Sequence, residues 1–178
     1  TIPTVLSALL AARARGINNL LLYTAFRTIV PALRHLLAQA DISVDAFILP
    51  GHVSAVIGSD AYAFLGEEGG LPGVVTGFEP LDMLLGIHMA LRQVEAGTHE
   101  VQNAYPRAVR PGGNPKALDM MREHLVPRSD MWRGLGRIEG GSLCLGPKLA
   151  ASDAEKQLDL PEAADHEPPG CLCAQVIS

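Results

Sequence analysis

Leu49-Pro-Gly-His-Val-Ser-Ala-Val-Ile-Gly58 and Val74-Val-Thr-Gly-Phe-Glu-Pro-Leu-Asp-Met83 repeat one pattern. In each, a short apolar run breaks at a Gly or Pro-Gly turn that displays one ionisable side chain, and a helical pattern follows. Both therefore read as strand, loop and helix. In open α/β sheets the crevice beyond the carboxyl ends of the strands is where ligands bind, so His52 and Glu79 stand where chemistry is usually done.

Outward from these blocks the same alternation continues. Val5, Leu6, Leu9, Leu10 and Ala14 recur at helical spacing behind Pro3, and Gly16 closes that helix. Residues 19–23 read as a buried strand, 26–40 as a packed helix broken at Asp41, and 45–49 as a strand. A short helix over 60–67 and a strand over 73–76 follow. Pro80 then opens a long helix over 81–96 that Gly97 ends. Such an order predicts a three-layer, Rossmann-like α/β fold with a mainly parallel sheet covered on both faces.

Beyond Gly97 the periodicity weakens. An extended segment is expected over 101–109, a loop over 110–115, an amphipathic helix over 116–125 and a strand around Trp132 over 131–138. Residues 140–169 are rich in Gly, Pro, Ala and acids and read as a surface excursion or linker. The organisation expected is an α/β domain over 1–139, with an irregular C-terminal extension over 140–178 that leads to a cysteine pair. Thr1 opens directly on a helical pattern and the chain stops soon after that pair, so it reads as part of a longer polypeptide.

Composition narrows the function classes. The chain has 178 residues, 48% of them hydrophobic, enough for one ordinary core. The net charge of −5, the dispersed arginines (Arg107 and Arg110 among them) and a 4% aromatic content argue against a nucleic-acid surface. No apolar run approaches the roughly 18 residues of a membrane span. With 3 cysteines and no disulfide framework, a reducing, cytoplasmic setting is expected.

His52 follows Pro50-Gly51 at a strand end, where glycine allows close backbone approach to a ligand. The imidazole there is a candidate acid, base or ligand, against the alternative of a histidine bonded to a neighbouring loop. Ser54 offers a hydroxyl on the same loop, but a P-loop lysine is absent. Glu79 is a candidate carboxylate just before a helix, against the alternative of a simple cap. Asp82 reads as an ordinary first-turn acid, and His88 and His99 as structural or solvent-facing. Cys171 and Cys173, one residue apart in a Pro-Gly turn, are either cluster ligands or a pair of thiols. Cys144 reads as a small core residue.

Five blocks in order carry a resemblance: Pro50-Gly-His-Val-Ser-Ala-Val-Ile-Gly58, Gly77-Phe-Glu-Pro-Leu-Asp82, Val109-Arg-Pro-Gly-Gly-Asn-Pro115, Trp132-Arg-Gly-Leu-Gly136 and Pro168-Pro-Gly-Cys-Leu-Cys173. Together they resemble the hydrogenase maturation proteins of the HypD family. The resemblance implies a scaffold for assembly and transfer of the Fe(CN)2CO centre of [NiFe]-hydrogenase, together with a [4Fe–4S] cluster used for redox. The partners it implies are a HypC-like small chaperone and a HypE-like cyanide donor. On that analogy His52 faces the iron site, Glu79 is a nearby carboxylate, Gly51 and Ser54 lie on the binding loop, and Cys171 and Cys173 belong to the cluster region. The family's Cys-Gly-Thr-His motif has no counterpart in these residues. A rival expectation is an α/β enzyme binding a phosphorylated or sugar-like metabolite, with His52 and Glu79 as an acid–base pair.

Overall fold

The computed structural model describes residues 1–39, 43–158, 160 and 169–173. They divide into two compact units, 43–119 with Thr1 in one, and 2–42 with 120–178 in the other. The fold is α/β, with a Rossmann-like parallel sheet in the first unit and an antiparallel sheet in the second.

In the first unit β2 (Phe47–Pro50), β3 (Gly73–Thr76) and β4 (Val101–Asn103) form a parallel sheet with β3 at its centre. The register pairs Phe47 with Gly73 and Gly73 with Val101, so all three strands end at one edge. Central strands of parallel sheets are covered on both faces, and every residue of β3 is buried. The helix α5 (Pro80–Ala96) lies along it, and Val74, Ala90 and Ala104 form the core between them with Ala46 and Met89 alongside. Gly86 sets that approach, because a Cβ there would run into the Thr76 side chain. Gly97 ends α5 in the left-handed region (φ 64°), as its position after the last apolar residue predicts.

The second unit is built on β1 (Phe26–Arg27), β6 (Gly136–Leu145) and β5 (Leu125–Trp132), ordered β1-β6-β5 and antiparallel. Leu6 and Leu9 of α1 (Ile2–Ala14) meet Leu125, Leu145 and Leu149 in its core. Arg27 ties β1 to β5 through Asp130 at 2.6 Å and through the Met131 carbonyl at 3.1 Å.

Several local expectations shift. Residues 19–23 do not form a strand: Leu22 makes one isolated bridge to Asp153, and Leu20 and Tyr23 are exposed. With only Asp153 opposite, no ladder can form. Phe26 and Arg27 pair with Leu143 and Ser142, so the following helix, α2, starts only at Ile29 and spans Ile29–Leu37. Pro31 then falls in its first turn, where a missing N–H costs nothing. The end expected at Ala40 and the break at Asp41 lie outside the described residues. The expected short helix splits into a 3₁₀ turn (Asp60–Tyr62) and α4 (Phe64–Glu67). The strand expected over 131–138 is a hairpin, whose turn after Trp132 has Gly134 and Gly136 at φ 81° and 78°. Gly140 to Leu145 continue β6, and the chain then forms a 3₁₀ helix (Pro147–Ser152) and a short α-helix (Ala154–Gln157); residues 159 and 161–168 lie outside the described residues. Among the described residues no helix is long and apolar enough to cross a membrane.

Candidate functional site

All three parallel strands deliver a loop to the same edge. After β2, Gly51 and His52 open α3 (Gly51–Ile57). The exposed His52 ring lies 5.1 Å from the Phe78 ring, tilted by 43°, which brings the β2 and β3 loops together. Gly51 is buried, and a Cβ on it would meet the Thr76 carbonyl oxygen and, at 2.8 Å, Tyr105 Cδ1. Glycine is needed here because two neighbouring chain segments occupy the side-chain space. Ser54 faces inward: its hydroxyl donates to the Pro50 carbonyl at 2.8 Å and pairs with the Tyr62 hydroxyl at 3.3 Å. Burial pushes the Tyr62 phenol above its ordinary value, with the Ser54 bond acting in the opposite direction.

After β3, Gly77, Phe78 and Glu79 lead to α5. Glu79 occupies the N-cap position with extended backbone, but its side chain makes no cap bond. Its carboxylate instead accepts from Arg107 Nη2 at 2.9 Å. Asp82 stands in the first turn of α5 as expected, but it is not an ordinary acid there: it is buried, and it accepts from Arg107 Nη1 at 2.8 Å and Nη2 at 2.5 Å. Such bidentate pairing fixes both distance and plane. The Asp82 carboxylate sits where a Cβ on Gly77 would project, which explains the glycine of the Gly-Phe-Glu-Pro-Leu-Asp block.

After β4, Asn103 shapes the loop that carries Arg107. Its Oδ1 accepts from the Tyr105 N–H at 2.9 Å and its Nδ2 donates to the Val109 carbonyl at 3.0 Å. The Arg107 guanidinium lies 4.3 Å from the centroid of the Tyr105 ring, a cation–π contact. From sequence alone Arg107 reads as one dispersed base, and Tyr105 carries no motif that singles it out. The available signal was position, since Asn103-Ala-Tyr-Pro-Arg107 follows the third strand just as His52 and Glu79 follow the first two.

The Arg107 hydrogen bonds hold the Asp82 carboxyl below the ordinary carboxylate range, and Asp82 in turn raises Arg107. A carboxyl whose folded pKa is depressed contributes stability above its unfolded value, about 3.9, and that contribution is lost as pH falls through the folded value. Stability measured by urea titration should therefore fall below about pH 4 in the parent. The gap between parent and Asp82→Asn should shrink over the same window; a gap independent of pH would show that the Asp82 charge adds nothing.

Cys144, Cys171 and Cys173 are half-buried thiols. Cys144 lies in β6 opposite Val126, its Sγ directed at the Val126 carbonyl at 3.7 Å. Cys171 and Cys173 follow Gly170, whose φ of 81° makes the turn. Among the described residues no three His, Cys, Asp or Glu side chains gather into a metal-ligating group. His88 and His99 are exposed.

A parallel sheet whose three carboxyl ends carry a histidine, two carboxylates and an arginine defines an α/β protein with its candidate site at the strand ends. The family model HypD, described as "Hydrogenase formation hypA family", matches residues 1–178, and the chain belongs to that family. It is 41% identical over 184 residues to the hydrogenase maturation factor HypD of Rhizobium leguminosarum bv. viciae, covering 99% of this chain and 48% of that protein. The corresponding factor of Escherichia coli K12 is 38% identical over 179 residues, with 100% and 48% covered. A putative hydrogenase expression/formation protein of Methanocaldococcus jannaschii is 36% identical over 177 residues, with 99% and 49% covered. The chain spans about half the length of the curated relatives it matches.

Proposed function

We propose that the protein acts in hydrogenase maturation, in the cytoplasm, as a scaffold on which the Fe(CN)2CO unit of [NiFe]-hydrogenase is assembled and passed on. The observation that carries this reading is the convergence of the His52, Glu79 and Arg107 loops at one sheet edge in a chain of the HypD family. The iron unit is cargo here. His52, exposed at the β2 end, faces it, while Gly51 and Ser54 hold the backbone on which His52 is displayed. Glu79, held by Arg107, supplies a carboxylate beside it that accepts hydrogen bonds or a proton. A HypC-like small chaperone brings or removes the cargo, and a HypE-like partner delivers cyanide.

A [4Fe–4S] cluster takes four thiolates. This chain has 3 cysteines, and Cys144 is engaged in β6, so Cys171 and Cys173 are two donors where four are needed. The cluster does not fit on this chain's own donors, and no step is assigned to it.

The test is hydrogenase activity in a strain lacking its own HypD and supplied with the full protein. The parent should restore activity, and His52→Ala should lower it by about 10²-fold or more, the scale of a displaced or missing reacting group. A soluble parent that restores nothing, or a His52→Ala variant as active as the parent, would overturn the proposal. Binding of a phosphorylated metabolite by that inactive parent would favour the metabolite-binding enzyme instead.

A further inference from the structure

We infer that Arg107 is the positioning residue of the strand-end site, a clamp fixed from below by Asp82 and Tyr105 that sets where the Glu79 carboxylate stands. This rests on the functional reading given to Glu79 above. An exposed ion pair by itself contributes little, because two long side chains must be ordered to make it. The Glu79 and Arg107 side chains are 76% and 52% exposed, so their pair would ordinarily be of that kind. The difference lies beneath it. Asp82, whose side chain is only 9% exposed, takes both Nη atoms of Arg107, and the Tyr105 ring supports the face of the guanidinium. The arginine is therefore ordered before Glu79 is engaged, and holding Glu79 requires fixing only one further side chain.

The order of dependence follows from burial. Asp82 and Gly77 belong to the same loop-helix junction, and the Asp82 carboxylate fills the space Gly77 leaves. Its position is set by packing. Arg107 comes from the β4 loop, which Asn103 fixes through two hydrogen bonds. Glu79 sits between Phe78, against which His52 packs, and Pro80, which opens α5. Asp82 thus acts on Glu79 through Arg107 and does not itself bond it. Lysine would not replace the arginine, because one ammonium cannot hold Asp82 through two parallel bonds and reach Glu79 as well.

The experiment is a double-mutant cycle in the maturation assay, paired with guanidinium proton exchange followed by nitrogen-15 NMR on the same full protein. Glu79→Gln and Arg107→Ala should each lower activity by at least about tenfold, and the double variant should be no worse than Glu79→Gln alone, since one acts through the other. Arg107→Lys should recover only part of the loss. Multiplying losses, or full activity in Arg107→Ala, would overturn the clamp. If Glu79→Gln is as active as the parent, Glu79 has no role to be positioned for and the clamp falls with it. In the NMR arm, Arg107 guanidinium protons should stay protected in Glu79→Gln and lose protection in Asp82→Asn; the reverse would overturn the order of dependence. A parent with no maturation activity counts against the functional proposal, and the NMR arm still decides the clamp.

Discussion

Gly58→Ala should unfold the first unit more readily by about 3 kcal/mol or more, read as a loss of about two orders of magnitude in amide-exchange protection at Val74 and Val75. Gly58 ends α3 with φ 87° and ψ 161°, a backbone region that only glycine occupies without strain. Its side-chain space is also taken. A Cβ would collide with the Pro111 carbonyl oxygen and lie 2.6 Å from the Gly113 amide nitrogen. Both obstacles are main chain, so no rotamer change relieves them. The contact is held from both sides, by Asp60 N–H donating to the Pro111 carbonyl at 3.1 Å and Asn114 N–H donating to the Val56 carbonyl at 3.0 Å. Separating these segments breaks bonds as well as packing.

A second glycine separates strain from collision. Gly16, at φ 75° after α1, has nothing within 4 Å of its would-be Cβ. Gly16→Ala should cost only the left-handed penalty, about 1 kcal/mol. Equal effects at Gly16 and Gly58 would mean the 110–113 loop is not docked as described. The consequence at Gly58 reaches the strand-end site, because that loop continues from the β4 segment that presents Arg107.

The parallel half was legible because its signals are local. A fully buried strand, Gly73 to Thr76, reads as an unbroken apolar run, and Pro80 and Gly97 bracket α5 with residues that have one good position each. His52 and Glu79 could be placed because strand ends are where an α/β sheet leaves its backbone open. Asp82 and Arg107 could not be joined, since they lie 25 residues apart and only the alignment of β3 with β4 brings them together. For Glu79 the cap alternative was reasonable from sequence, and it fails because an arginine from another loop competes for the carboxylate. The antiparallel half was obscured by its partners. β1 is two residues long and pairs with β6, more than a hundred residues away, so Phe26 and Arg27 carry no strand period of their own. Gly140 and Gly141 have the composition of a linker, yet Gly141 is small because the Trp132 indole and Ile138 occupy its side-chain space, each at 2.8 Å from a would-be Cβ. Composition cannot distinguish a glycine that loosens a chain from one that lets another side chain in.

Leu145→Ala distinguishes these two meanings by experiment. If the stretch after Gly140 were a linker, truncating Leu145 would change stability by no more than an ordinary surface substitution. Leu145 is instead 1% exposed, opposite Leu125 in the β5–β6 pair, and packed with Leu6, Leu9 and Leu149. Removing its side chain leaves a cavity lined by leucines from two strands, a helix and a turn, which cannot all move in to fill it. The expected loss is about 2–5 kcal/mol, the range for Leu→Ala in a closed core. Trp132, the only tryptophan, sits in the same hairpin opposite Gly136 and reports unfolding of this unit by fluorescence in urea. Val126→Ala is the matched control, because Val126 is 38% exposed on the same strand pair and its truncation should cost well under 1 kcal/mol. Equal shifts for the two variants would place Leu145 outside the core. A large shift for Leu145 alone makes residues 140–145 part of the folded unit rather than a linker, held there by the same leucine core that receives Leu149 from the following turn.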